Sequence, residues 1–217
     1  MDLQDQQVLV TGATAGIGQE AAKLFARRGA SVVITGRDTQ RGAQTVAAIE
    51  AEGGRAEFIA ADLNDIESVR RLAEQAGDVD VLVNNAATVT ADPTLEQDVE
   101  SFDMMFDVDV RAPFFLTAAL LPKMIARGSG AIVNISSMGA SVGANGIRVN
   151  TVAPGPTRTG GGVGALRDGL EQLGSATPLG RTADPTEIAE AIVFLASPQA
   201  SYVTGATVLV DGGFTAI

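Results

Sequence analysis

The chain has 217 residues and a formal net charge of −11, with 46% hydrophobic and 19% charged residues. That composition supports a full core in one domain spanning 1–217 and excludes a disordered chain, and its acidity without a basic stripe argues against nucleic acid as a partner. Cysteine and histidine are both absent, so disulfides, thiolate chemistry, the commonest general base and the commonest metal ligand are all excluded, and no EF-hand-like loop points to a metal.

The first ten residues, MDLQDQQVLV, lack the positive region and apolar stretch of a signal peptide. No apolar run approaches the ~18 residues of a membrane span, so a cytoplasmic protein is expected. Gln7–Thr11 reads as a buried strand, Gly12–Gly18 as a glycine turn, and Gln19–Arg28 as a helix stopped by Gly29. Ser31–Thr35 is a second strand, Thr39–Glu52 a second helix closed by Gly53-Gly54, and Ala56–Ala61 a third strand. Ile66–Ala76 follows as a helix with apolar residues at helical spacing, then Val79–Val83 as a strand. Val99–Ala126 is a long helical region that Pro113 must kink or divide. Ala131–Ser137 and Ile147–Ala153 are the fifth and sixth strands. The glycine-rich stretch 160–180 reads as irregular or weakly helical, a flap over an apolar ligand that carries Val163, Leu166, Leu170 and Leu173. Asp184–Ser197 is a helix marked by Asp184 at the N-cap, Pro185 at the first position and Glu187 at the third, and Thr207–Val210 is the last strand.

Strands alternating with helices predict an α/β fold, a doubly wound parallel Rossmann-type sheet of about seven strands with helices on both faces. One connection does not fit. Strands five and six are separated by only Met138–Gly146. A parallel crossover takes about a dozen residues or more and usually a helix. Either these strands are not parallel neighbours, or a crossover is missing.

Thr11–Gly18 reads TGATAGIG between a strand and a helix. Glycines there let backbone approach a pyrophosphate, and a helix N-terminus offers free N–H groups. Alone, the pattern also fits a turn that only packs a helix on a strand.

The spacing T-G-x-x-x-G-x-G resembles the short-chain dehydrogenase/reductase family, and further motifs fall in the same order. Asp62-Leu63 resembles the family's adenine-contacting segment. Asn84-Asn85-Ala86-Ala87 resembles its NNAG motif with Ala87 in place of glycine. Asn134-Ile135-Ser136-Ser137, Pro154-Gly155 with Thr157 and Thr159, and Val203-Thr204-Gly205 with Asp211-Gly212-Gly213 match its later segments. The resemblance implies that Gly12, Thr14, Ala15, Gly16, Ile17, Gly18, Asp62, Leu63, Asn85, Ala86, Ala87, Pro154, Gly155, Thr157 and Thr159 hold a nicotinamide dinucleotide. Strand two ends Thr35-Gly36-Arg37, with glycine at the acidic position of NAD-preferring relatives and Arg37 available for a 2′-phosphate; this favours NADP(H) over NAD(H). Alternatively, Arg37 is a solvated charge paired with Asp38 or another neighbour.

The resemblance further implies hydride transfer between a carbonyl and a secondary alcohol, with a Ser, a Tyr and a Lys at the chemical end and an Asn anchoring a water chain. Ser137 matches the serine, and Asp109 stands where relatives usually carry the Asn. The Tyr-x-x-x-Lys is absent: counting about 13 residues from Ser137 lands on Asn150, inside strand six. Tyr202, the only tyrosine, reads as a packing residue, and Lys23 and Lys123 lie on other helices. A stretch of roughly 30 residues, a loop and one crossover helix, is therefore expected to be missing between Val142 and Asn145. The resemblance also implies a substrate lid at 160–180, a small-molecule carbonyl or alcohol substrate, and a homotetramer or homodimer. If the chain is truly continuous through 142–145, the alternative is an inactive dinucleotide-binding variant.

Overall fold

The fold is that of a computed structural model, which describes residues 3–88, 96–135, 146–159 and 165–216. Seven strands form one parallel sheet: β1 (Gln7–Thr11), β2 (Ser31–Gly36), β3 (Arg55–Ala60), β4 (Val81–Asn84), β5 (Gly130–Ile135), β6 (Ile147–Pro154) and β7 (Thr207–Val210). Their order in the sheet is β3-β2-β1-β4-β5-β6-β7. The chain therefore reverses its direction of travel between β1 and β4, which opens a crevice above their carboxyl ends.

Side chains alternate across each strand, so β1 to β6 feed two cores, while β7 at the sheet edge packs on one. Val8, Val10, Val32, Ile34, Val81 and Val83 point to one face, where they pack with α1 (Gly16–Arg27) and α7 (Pro185–Ala196) through Phe25, Ile188 and Ile192. Leu9, Val33, Leu82, Ile132, Ile147 and Val149 point to the other face, against α3 (Ile66–Ala76) and α5 (Ala112–Arg127) through Leu72, Leu116 and Met124. These strands are nearly continuous apolar runs because both faces are covered.

Strand and helix boundaries follow the sequence closely, and Ile66–Ala76 coincides with its expected span. Two readings differ from the structure, the start of the first helix and the packing of Tyr202, and two open ones are decided. The helix after β1 starts at Gly16 rather than Gln19, so Gly18 belongs to its first turn and not to the loop before it. The long helical region is divided ahead of Pro113: α4 (Val99–Phe106) ends in a π-helical turn, Asp107–Arg111, and α5 begins at Ala112. Pro113 has no N–H to give the carbonyl four residues earlier, at Asp109, and its ring crowds that carbonyl; a widened turn accommodates both. Within the glycine-rich stretch, read as irregular or weakly helical, Ala165–Ser175 forms an eleven-residue helix, α6. Tyr202 is fully exposed, so it does not pack within the chain.

β5 and β6 are parallel neighbours, with Gly130 opposite Ile147 and Ile135 opposite Val152. This excludes the reading in which they are not adjacent. Residues 136–146 must carry the chain from the top of β5 to the foot of β6. Ser137 and the interval 142–145 lie outside the described residues. The outer surface of α4 and α5 carries Val99, Phe102, Phe106, Phe114, Phe115 and Ile125, all exposed, with Phe102 stacked near Phe106 and Phe114 edge-on to Phe115.

Candidate active site

The crevice is built on Thr11, the last residue of β1. Its hydroxyl accepts the N–H groups of Asn85 (2.9 Å) and Ala86 (3.0 Å) and donates to the Val83 carbonyl at 3.4 Å. The Asn85 amide donates back to the carbonyls of Thr11 (2.8 Å) and Gly12 (3.3 Å). These bonds join the turn after β1 to the segment after β4 across the gap where the sheet reverses.

The glycines of the turn are required by this junction itself. A Cβ on Gly12, at φ 65°, would lie 2.8 Å from the Ala86 Cα. One on Gly18 would lie 2.3 Å from the Asn85 amide nitrogen and 2.9 Å from the Gly12 carbonyl. Packing and close ligand approach are thus served by the same missing side chains. Thr14 lies against Gly36 at the end of β2, where a Cβ would come within 2.9 Å of its methyl. Ala15 is the N-cap of α1, Ile17 packs partly against the core, and no side chain caps the helix. Four other helices are capped by aspartates at positions 38, 65, 98 and 184. The first turn of α1 also carries no acid, so its N–H groups and the positive end of its dipole remain open to an anion. These features fit a dinucleotide pyrophosphate.

Arg37 is exposed just beyond β2. Asp38, the alternative partner, instead caps α2 (Thr39–Ala51) and pairs with Arg41 at 2.7 Å. Among the described residues no carboxylate pairs with Arg37. Asp62 follows β3; its carboxylate accepts the Asn64 N–H, its own N–H donates to Ser68, and Leu63 is half-buried beside it. Ala87 is exposed at the glycine position of the Asn84–Ala87 segment.

On the other side of the crevice, Pro154 ends β6 and Gly155 donates to the Val210 carbonyl at 3.0 Å. Thr157 is buried, and its hydroxyl donates to the Gly155 carbonyl at 2.8 Å. Thr159 reaches back over the turn: a Cβ on Gly16 would lie 3.2 Å from its side chain. The two threonines, alike in sequence, therefore stand in different places. Behind Gly155 and Pro156, an open pocket of about 400 Å³ is walled by Pro178, Leu179 and Leu209.

Asp109 sits in the middle of the π-helical turn and accepts the Thr88 N–H at 2.8 Å. Burial pushes its carboxyl up from the usual 3.8, and the Thr88 bond opposes that rise. Lys23 pairs with Glu20 on α1. Lys123 pairs with Asp78 and the Gly77 carbonyl, at the foot of the sheet. Neither lysine reaches the crevice.

Sequence reasoning passes over a polar row below the crevice. Asn84 on β4, Asn134 on β5 and Thr151 on β6 are register partners, and the Asn84 amide donates to the Asn134 side chain at 2.8 Å. Thr11 and Thr35 extend the row on β1 and β2, and all but Asn134 are buried. Thr11, Thr35 and Asn84 lie at or beside the ends of their strands, whereas Asn134 precedes Ile135 and Thr151 lies within β6. Register alone makes them a layer.

Comparison with known proteins accords with this arrangement. The sequence pattern of the short chain dehydrogenase family matches residues 6–146, and that of the enoyl-(acyl carrier protein) reductase family matches residues 138–215. The cis-4-hydroxycyclohexanecarboxylate dehydrogenase of Sinomonas cyclohexanicum is 39% identical over 245 aligned positions, covering 98% of each chain. Two solved structures resemble the fold over nearly the whole of both chains. A short chain dehydrogenase/reductase family protein is 47% identical, with a TM-score of 0.89 and 100% of each chain covered. A blue fluorescent protein from a metagenomic library, in complex with NADPH, is 32% identical, with a TM-score of 0.87 and 99% of each covered. This chain belongs to the short-chain dehydrogenase/reductase family. It is an oxidoreductase of the group whose members act on alcohols and carbonyls. Because 245 positions are aligned to a chain of 217 residues, at least 28 of them face a gap in this chain.

Proposed function

We propose that this protein is an NADP(H)-dependent oxidoreductase that interconverts a carbonyl and a secondary alcohol. The observation that carries the reading is the uncapped α1 N-terminus, locked by Thr11 and Asn85 to the segment after β4. Gly12, Thr14, Ala15, Gly16, Ile17 and Gly18 would hold the pyrophosphate, with Asp62 and Leu63 at the adenine and Asn85, Ala86, Ala87, Pro154, Gly155, Thr157 and Thr159 around the remainder. Bound there, the dinucleotide supplies or accepts the hydride. Arg37, free of any carboxylate partner among the described residues, would meet the 2′-phosphate, and a relative of the same fold binds NADPH. Ser137 would hold the substrate oxygen.

The active protein, in this reading, carries a segment of roughly 30 residues between 142 and 145, which supplies the crossover helix and the proton-transferring Tyr and Lys. Three observations support it: β5 and β6 are parallel neighbours, the chain is shorter than its alignment, and neither lysine reaches the crevice. The domain is then single over the whole chain, with 160–180 as its lid. The exposed aromatic surface of α4 and α5 supports assembly as a homodimer or homotetramer.

Intact-mass measurement of the protein made from its own gene tests the segment, and turnover tests the function. A mass above 22.1 kDa, with NADPH-dependent reduction of a cyclic ketone, is expected. A mass of 22.1 kDa with dinucleotide binding and no turnover establishes the inactive variant instead.

A further inference from the structure

Among the described residues, the crevice carries a carboxylate, Asp109, at the position where the family resemblance implies a neutral asparagine. Arg37 and Asp62 lie on the β2–β3 side of β1, and Asp109 lies on the β4–β5 side, bonded to Thr88 just after β4. Among the described residues no cation pairs with Asp109. Arg111, on the same turn, is paired with Asp107. The segment Asn84–Thr88 and the end of β5, Asn134-Ile135, contribute no ionisable side chain. Asp109 is half-buried, its shift is set by burial and the Thr88 N–H, and it is acceptor-only when ionised.

A dinucleotide laid across the reversal point places its adenine half toward β2 and β3 and its nicotinamide half toward β4 and β5. The adenine half and the phosphates are identical in both redox forms. The nicotinamide ring is cationic when oxidised and neutral when reduced. A fixed carboxylate on that side therefore acts on the difference between the two forms.

We propose that Asp109 discriminates the redox state of the bound dinucleotide, its carboxylate favouring the oxidised form over the reduced one. The proposal rests on the dinucleotide reading above. Asparagine there would keep an acceptor for Thr88 and lose the discrimination. Tighter binding of the oxidised form makes the bound couple more reducing, by about 30 mV for each tenfold ratio of affinities. The site is thereby biased toward reduction of a carbonyl.

The test compares dissociation constants for NADP⁺ and NADPH, measured by titration calorimetry at pH 8 and low salt. It uses the full-length protein and its Asp109→Asn and Asp109→Ala variants. The ratio of the NADPH constant to the NADP⁺ constant is expected to fall by about three- to tenfold in both variants. Loss of the Thr88 bond in the alanine variant would weaken both forms together and leave that ratio equal to the asparagine one. An unchanged ratio in the asparagine variant overturns the proposal. So does a change confined to the alanine variant, since it would trace to the lost bond and not to charge. If neither form binds the wild-type protein, the dinucleotide reading itself fails and takes this proposal with it.

Discussion

The β1–β4 half of the sheet and the β5–β6 pair are built from the same kind of strand but are connected very differently. In the first half every parallel crossover contains a helix: α1 returns the chain from β1 to β2, α2 from β2 to β3, and α3 from β3 to β4. Each covers a face of the sheet and delivers the next strand with its carboxyl end at the crevice. Between β5 and β6 only residues 136–146 are available. The pairing across this step is nevertheless as regular as elsewhere, with six register partners from Gly130–Ile147 to Ile135–Val152. Strand pairing and crossover are thus separable. In the proposed reading, the crossover helix between β5 and β6 would contribute chemistry in addition to the strand pairing that the register already shows.

The strongest way to break this comparison is to supply the helix. With a family-type crossover of roughly 30 residues inserted between Val142 and Asn145, carbonyl reduction should rise by at least ~10²-fold over the 217-residue chain, because a positioned proton donor contributes ~10²–10⁴-fold. Dinucleotide affinity should change little. Steady-state turnover and calorimetry on the two proteins check this. Equal turnover would mean the short connector is sufficient.

The next largest effect lies in the intact half. Gly18→Val places carbon within reach of the Asn85 amide and the Gly12 carbonyl, so the junction between the two loops must shift. Dinucleotide affinity should fall by about 10- to 100-fold, as overpacking a fitted contact does, and fluorescence titration measures it. Arg37→Ala should lower the preference for NADPH over NADH by about tenfold, the worth of a charge-assisted bond. Comparing the two dissociation constants decides it, and an unchanged preference removes Arg37 from the site.

The smallest effect serves as a control outside both regions. Arg181 holds the Glu187 carboxyl down to about 2 from 4.5, helped by the Asp184 N–H. A folded-state value below the unfolded one means that the contribution is present above about pH 4.5 and is lost as the pH falls toward about 2. Both side chains are largely exposed, so screening limits the gain. Glu187→Gln should lower Tm by about 1–3 °C at pH 7 and leave it nearly unchanged near pH 2 in thermal denaturation followed by circular dichroism.

Most of the fold was legible because its signals are local. Apolar runs ended by glycine mark β1 and β2, and the Asp184-Pro185-Thr186-Glu187 start marks α7, where the capping box forms as read. The candidate site was legible where a motif sits on a strand end, as at Gly12–Gly18 and Asn85. It was less legible where position depends on packing. The helix spans Gly16 because the turn is held by Thr11 and Asn85 from another strand. Thr157 and Thr159 diverge because the loop after β6 bridges to Ala183 before turning over Gly16. Tyr202, read as a packing residue, faces outward because the apolar Val203 beside it takes the place against the core.

By itself the sequence determined the element order, the apolar faces, the glycine turn and the shortage of chain between β5 and β6. These follow from side-chain volume, periodicity and residue count, which need no distant partner. Tertiary structure alone decided that β5 and β6 are parallel neighbours, that Thr11, Asn84, Asn134 and Thr151 form one polar layer, and that Asp109 bonds Thr88. Each is a contact between residues far apart in the chain. Such contacts are set by which strands dock side by side and in what register, and no local pattern encodes that.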